Sequence, residues 1–230
     1  MHSDFSKIVE NPEEFRVQII YTQIDRNNEQ IPIFTSHKFN VVPEKYFYPA
    51  STVKFPAAVL ALDKINHLES FGLTKDSKLT IGSDRGWMES VDNDSSSETG
   101  NASIAHYIKK IFVVSDDNAF NRIYEFLGQD YFNERMWGIG FPDTRFRHRL
   151  SMRLSAEENK YTNSFDFFSD KGNRLFSQHS NYSSINLSLN SKENFIGDSY
   201  LLDGEKIDNQ MDFSQKNYLY NLQVHPINCG

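Results

Sequence analysis

Between residues 15 and 42 the chain alternates. In FRVQIIYTQIDR (15–26) β-branched and aromatic side chains alternate with polar ones, the polar NNEQ follows, and IPIFTSHKFNVV (31–42) resumes the pattern. Such alternation around a short polar break predicts a β-hairpin. The period then lengthens. Starting near Ser51, the apolar residues Val53, Ala57, Leu60 and Ile65 recur at roughly helical spacing, which predicts a helix buried along most of its length. Pro56 falls in or near its first turn, where a missing N–H is tolerated. SVDNDSSSETGN (90–101) reads as a polar loop. Ser103 is placed to cap a helix over 104–114, and Gly128 to end one over 118–128. YFNERMWGIG (131–140) suggests a further short helix. After about Thr162 helical periodicity fades. Segments such as NRLFSQ, SINLSLN and NFIGDSYLLDGEKI read as short strands separated by Asn, Ser and Gly.

Composition narrows the class without choosing a function. The 230 residues, 38% apolar and 14% aromatic, are those of an ordinary globular protein. A net charge of −7 argues against nucleic acid or an anionic membrane as the main partner, because both reward clustered Lys and Arg. The longest apolar run, AAVLAL at 57–62, is too short to span a bilayer. MHSDFSKIVENPEEF has no apolar stretch of the secretory kind, so the chain as written is expected to stay in the cytoplasm. The single cysteine, Cys229, allows no disulfide framework. The seven histidines form no H-x-x-x-H or H-x-H pair, so neither a metal nor another cofactor is expected. No G-x-S-x-G elbow or glycine-rich phosphate loop is present.

Two short stretches carry candidate chemistry. In YPASTVKFPAAVLAL, Ser51 and Lys54 stand three residues apart at the mouth of the expected helix. Residues i and i+3 share a helix face, so the Lys54 amine can reach the Ser51 hydroxyl and accept its proton. The helix N-terminus favours the negative charge that then develops. In VVSDDNAFNRIYEFLG, Ser115 lies between two helical patterns and is followed by an Asp/Asn cluster. It could supply a proton shuttle opposite the nucleophile. The same residues could equally be helix caps, since Ser and Asp are preferred there.

With both stretches in this order, the chain resembles the penicillin-recognising serine hydrolases, and among them the class A β-lactamase-like domain, whose signature is S-x-x-K, then S-D-N, then K-T-G. The resemblance spans about residues 15–165. It implies an α/β fold in which a mostly helical domain packs with an antiparallel sheet. Residues 15–42 would be the first two sheet strands, 46–165 the helical catalytic part and 166–230 a strand-rich insertion, within one domain over 1–230. It further implies Ser51 as acyl-accepting nucleophile, Lys54 as proton acceptor and Ser115 as the group passing a proton to the leaving atom. The Ser51 N–H would be half of an oxyanion hole. The implied partner is a small-molecule β-lactam or a related amide or ester, with no cofactor, and the family is usually exported to the periplasm or cell envelope.

Three departures qualify what is expected. Asp117 stands where the motif has Asn, in the substrate-binding position; an ionised Asp can only accept hydrogen bonds and would hold Lys54 charged. Asn118 could replace it only through a one-residue slip. The segment RLSMRLSAEENKYTN (149–163) occupies the place of the family's omega loop. Its Glu157 and Glu158, followed by Asn159, are candidates for a deacylating carboxylate, but they lack the E-x-x-x-N spacing and read more readily as solvated charges. No K-T-G follows; ETG at 98–100 comes too early. The domain is therefore expected to be incomplete at its C-terminus, with the sheet strands around that element missing. Besides a β-lactamase-type enzyme, the sequence leaves open an esterase or peptidase on the same fold, or a non-catalytic remnant or binding module.

Overall fold

The computed structural model describes residues 3–189, 195–202, 204–214 and 216. It opens with helix α1 (Ser3–Glu10), which the sequence reading does not anticipate. The alternating stretch forms a hairpin. Strand β1 (Ile19–Arg26) pairs antiparallel with β2 (Pro32–Phe39), placing Ile24 opposite Phe34 and Tyr21 opposite His37. Asn27 builds the turn, its Oδ1 accepting from the N–H groups of Glu29 and Ile31 at 2.9 Å each. Among the described residues neither face of this hairpin is fully covered. Tyr21, Ile24, Ile31 and Ile33 are all at least half exposed, and among the described residues no third strand joins it.

The core lies elsewhere. A 3₁₀ turn (Ala50–Val53) leads into α2 (Lys54–His67); Val53 of the turn and Ala57, Leu60, Ala61 and Ile65 of the helix are buried, as their spacing implies. Helix α3 (Ile104–Val114) is capped by Ser103, whose hydroxyl accepts from the His106 N–H at 3.1 Å. Helix α4 (Asp117–Leu127) is capped by Asp116, which accepts from the Ala119 N–H at 2.8 Å. It ends at Gly128, whose φ of 74° suits a residue without a Cβ, and α5 (Gln129–Gly138) follows. Helix α4 is the centre of the domain, packed against α2, α3 and α5. Its Phe120, Ile123, Tyr124 and Phe126 have no exposed surface. Burying a side chain of this size stabilises by about 1.5–3 kcal/mol.

Five short strands complete this part: β3 (Lys78–Ile81), β4 (Tyr161–Thr162), β5 (Phe165–Phe168), β6 (Arg174–Gln178) and β7 (Asn181–Tyr182). An antiparallel sheet in the order β3-β5-β6 lays Leu79, Ile81, Phe165 and Phe167 against the helices. The Phe126 ring lies 5.7 and 5.6 Å from those of Phe165 and Phe167. Farther along, β8 (Phe195–Ile196) pairs with β11 (Met211–Asp212), and β9 (Tyr200–Leu202) with β10 (Glu205–Ile207). Phe213, just after β11, packs on Tyr46 and Tyr48 at 5.8 and 5.0 Å, tying this region to the chain just before Ser51.

The mixture of helices and antiparallel sheet follows the expected class. Among the described residues the hairpin stands as a sheet of its own, and a second sheet, β3-β5-β6, lies against the helices. One reading needs correction. Residues 184–189, read as a strand, are irregular. Their polar groups are taken by side chains: the Ile185 N–H donates to Asp130 at 3.3 Å, and Arg147 donates to the carbonyls of Leu187 and Ser188 at 2.5 and 2.9 Å. Residues 190–194 and the expected C-terminal segment with Cys229 lie outside the described residues.

Candidate active site

Ser51 occupies the 3₁₀ turn that opens α2, and Lys54 is the first residue of the α-helix proper. Across from them, one residue serves as the hinge between α3 and α4. Ser115 ends α3 in a left-handed conformation, φ 53°, with its N–H donating back to the Lys110 carbonyl. The SDDN stretch divides its labour: Asp116 caps α4, while Ser115 and Asp117 on either side face Lys54.

Lys54 is buried, with only 3% of its surface exposed, whereas the Ser51 and Ser115 hydroxyls above it belong to exposed residues. Its Nζ lies 3.1 Å from Ser51 Oγ, 2.9 Å from Ser115 Oγ, 2.6 Å from the Ser115 carbonyl and 2.5 Å from Asp117 Oδ1. The Ser115 hydroxyl lies 3.2 Å from Ser51 Oγ and closes a triangle of two hydroxyls and one amine. Two of the amine's four neighbours, the Ser115 carbonyl and the Asp117 carboxylate, can only accept. They engage two N–H groups in either protonation state. The third position then holds a proton in the ammonium or a lone pair in the amine, and only the hydroxyls are left to meet it. The same geometry can therefore accommodate a lysine before and after it takes a serine proton.

Asp117 is itself shared. Its Oδ1 accepts from Lys54, and its Oδ2 accepts from the hydroxyl of Ser151. Partial burial pushes this carboxyl upward, but the hydrogen bonds from Lys54 and Ser151 and the lysine charge outweigh it, leaving the group below its ordinary range. Tyr48, on the segment that leads into Ser51, is displaced the other way, by burial first and then by the Asp117 charge.

Backbone strain collects here. Among the described residues six non-glycine positions have positive φ, and three of them are Ala50 (44°), just before the nucleophile candidate, Ser115 (53°) and Ser151 (52°). Such residues cost on the order of 1–3 kcal/mol each and persist where surrounding structure over-determines them, most often at functional sites.

The structure thus brings together Ser51, Lys54, Ser115 and Asp117. Glu157 and Glu158 go elsewhere. Glu157 is exposed and pairs with Lys160 at 3.0 Å. Glu158 accepts from the Ser155 N–H at 2.7 Å while Ser155 Oγ accepts from the Glu158 N–H, a local reciprocal cap. The hydrogen bonds from Lys160 and from Ser155 lower the pKa of Glu157 and Glu158 respectively, as for ordinary solvated carboxylates with a partner. Asn118 is exposed and lines a separate cavity with Trp87 and Arg122. Ser151 is the site residue that sequence reasoning missed. It lies in no motif, and its approach to Asp117 depends on contacts between distant parts of the chain. Among the described residues no group of three or more His, Cys, Asp or Glu is placed to hold a metal ion.

Comparison with known families adds one match: the model of the beta-lactamase enzyme family covers residues 3–177. No curated protein and no solved structure matches the chain.

Proposed function

This chain belongs to the beta-lactamase enzyme family, and from that premise we propose that it is a serine hydrolase working through an acyl-enzyme on Ser51, with a β-lactam or a related amide or ester as substrate. The observation that carries the proposal is the closed triangle of Ser51 Oγ, Lys54 Nζ and Ser115 Oγ, with sides of 3.1, 2.9 and 3.2 Å. All three lie within the reach that proton transfer between positioned groups requires.

In this mechanism Lys54, as the neutral amine, takes the Ser51 proton while Oγ bonds to the substrate's acyl carbon and the carbonyl electron pair moves onto oxygen. The helix opening at Ser51 faces that oxyanion with its N-terminal amides. On collapse, the carbonyl re-forms and the bond to the leaving nitrogen or oxygen breaks. The proton held by Lys54 passes through the Ser115 hydroxyl to the leaving atom. Water then cleaves the acyl ester, restoring the Ser51 hydroxyl and releasing the acid.

A second reading on the same fold, an esterase or peptidase, is favoured by one feature. Asp117 stands where the motif has Asn, and both of its oxygens already accept hydrogen bonds. An ionised carboxylate cannot donate to a substrate amide carbonyl as Asn would. Substrates without an amide side chain lose less by that change.

The test is intact-protein mass after incubation with a penicillin and, separately, with a fluorophosphonate. A mass gain in the native chain, absent in Ser51→Ala and slowed at least about 100-fold in Lys54→Met, is the expected result. Labelling by the fluorophosphonate alone would favour the esterase or peptidase reading. No adduct from either reagent on a folded sample would sink the enzyme proposal and leave the non-catalytic reading.

A further inference from the structure

Ser151 lies on the loop after α5, and its hydroxyl donates to Asp117 Oδ2 while Lys54 holds Oδ1. The carboxylate is thus divided between a cation and a hydroxyl. The residue makes this contact from a left-handed backbone, φ 52°, a conformation that disfavours a residue with a Cβ and not glycine. Its neighbour Leu150 is clamped from both sides by one asparagine of α4. The Leu150 N–H donates to Asn121 Oδ1 at 2.8 Å, and its carbonyl accepts from Asn121 Nδ2 at 2.9 Å. One residue earlier, the Arg149 N–H donates to Asn159 Oδ1 at 2.8 Å. Helix α4 therefore carries Asp117 in its first turn and Asn121 one turn later, and Asn121 fixes the loop that returns a hydroxyl to Asp117. Asn121, Arg149 and Asn159 are all buried, so this frame is rigid. A strained serine so firmly held, with its hydroxyl on a site carboxylate, is the pattern expected where position matters to chemistry.

We propose that Ser151 is a positioning residue for the Ser51–Lys54 pair: by holding one oxygen of Asp117 it keeps the other on Lys54, and so sets where the lysine amine stands relative to the nucleophile. This deepens the serine-hydrolase reading above and rests on it. Without the Ser151 hydroxyl the carboxylate is free to turn about its Cβ–Cγ bond, and the amine follows it away from Ser51 Oγ. The same loss changes the charge of the site. The groups facing Asp117 are Lys54 from α2, Tyr48 from the segment before α2 and Ser151 from the loop. Burial raises the Asp117 carboxyl, and Lys54 and Ser151 lower it. Removing one of these two donors moves it upward, so Asp117 becomes neutral at a higher pH than in the native chain.

Glycine is the informative replacement, because it removes the hydroxyl and relieves the backbone at once. Ser151→Gly is expected to melt no lower than the native chain, yet to lose about tenfold in the rate at which fluorophosphonate labels Ser51. The titration midpoint of the Asp117 carboxyl carbon followed by NMR should move to higher pH. Ser151→Asn, which tolerates the left-handed backbone and keeps an N–H donor, should recover most of the rate. Native-rate labelling in Ser151→Gly, with the Asp117 titration unmoved, would overturn the proposal. So would a loss of labelling that simply tracks a loss of the fold in both variants. A native chain that is never labelled would instead defeat the serine-hydrolase reading. The Asp117 titration in the native and Ser151→Gly chains would then still show whether Ser151 holds the carboxylate.

Discussion

The β1–β2 hairpin and helix α4 are built from comparably apolar sequence and meet opposite fates. The hairpin has a complete ladder of paired residues and a well-formed turn, yet it presents Tyr21, Ile24, Ile31 and Ile33 to solvent. Helix α4 hides Phe120, Ile123, Tyr124 and Phe126 completely. It also carries Asp117 and Asn121, the two residues through which the core reaches the candidate site. Backbone pairing alone can thus form an element that contributes little packing. What makes α4 able to aim chemistry is that it is packed against α2, α3 and α5. A two-stranded ribbon without a covered face is marginal in water.

The comparison breaks most visibly at Phe126. Phe126→Ala removes a ring wedged against Phe165 and Phe167 and is expected to cost about 3–5 kcal/mol, measured by denaturant unfolding. A much smaller loss would mean that the sheet and the helix are not packed as described. Next comes Asn121→Ala. It strands the buried N–H and carbonyl of Leu150, at about 1–3 kcal/mol for each group left without a partner. It should slow Ser51 labelling more than its stability loss explains, because Ser151 comes adrift with the loop. An effect on stability with labelling untouched would separate the frame from the site. Smallest is Ile33→Thr on the hairpin, expected to change unfolding free energy by no more than about 0.5 kcal/mol. A large loss there would show that something covers this strand in solution.

How far the sequence could be read follows the same divide. Periodic faces and capping residues announce themselves locally, so α2, α3 and α4 were legible down to Ser103 and Gly128. The hairpin was legible as a hairpin; the three-stranded sheet was not, since alternation says nothing about what a face will meet. Strand β3 is four residues, KLTI, too short to stand out before its partners Phe165 and Phe167 are known. Residues 184–189 alternate like a strand, but Asp130 and Arg147 claim their backbone groups, and neither is near in sequence. At the site, Ser51 and Lys54 could be paired because one helical turn joins them, and Ser115 and Asp117 because their motif follows in the right order. Ser151 depends on Asn121 gripping Leu150, a tertiary contact that leaves no local pattern.

The lysine seat has one further property. One of the shortest contacts of Lys54 is to the main-chain carbonyl of Ser115, at 2.6 Å, and a carbonyl is common to every amino acid. Replacing the serine side chain would take away a proton carrier and leave that part of the seat in place. Ser115 thus serves the site twice, through a side chain that can be exchanged and a carbonyl that cannot.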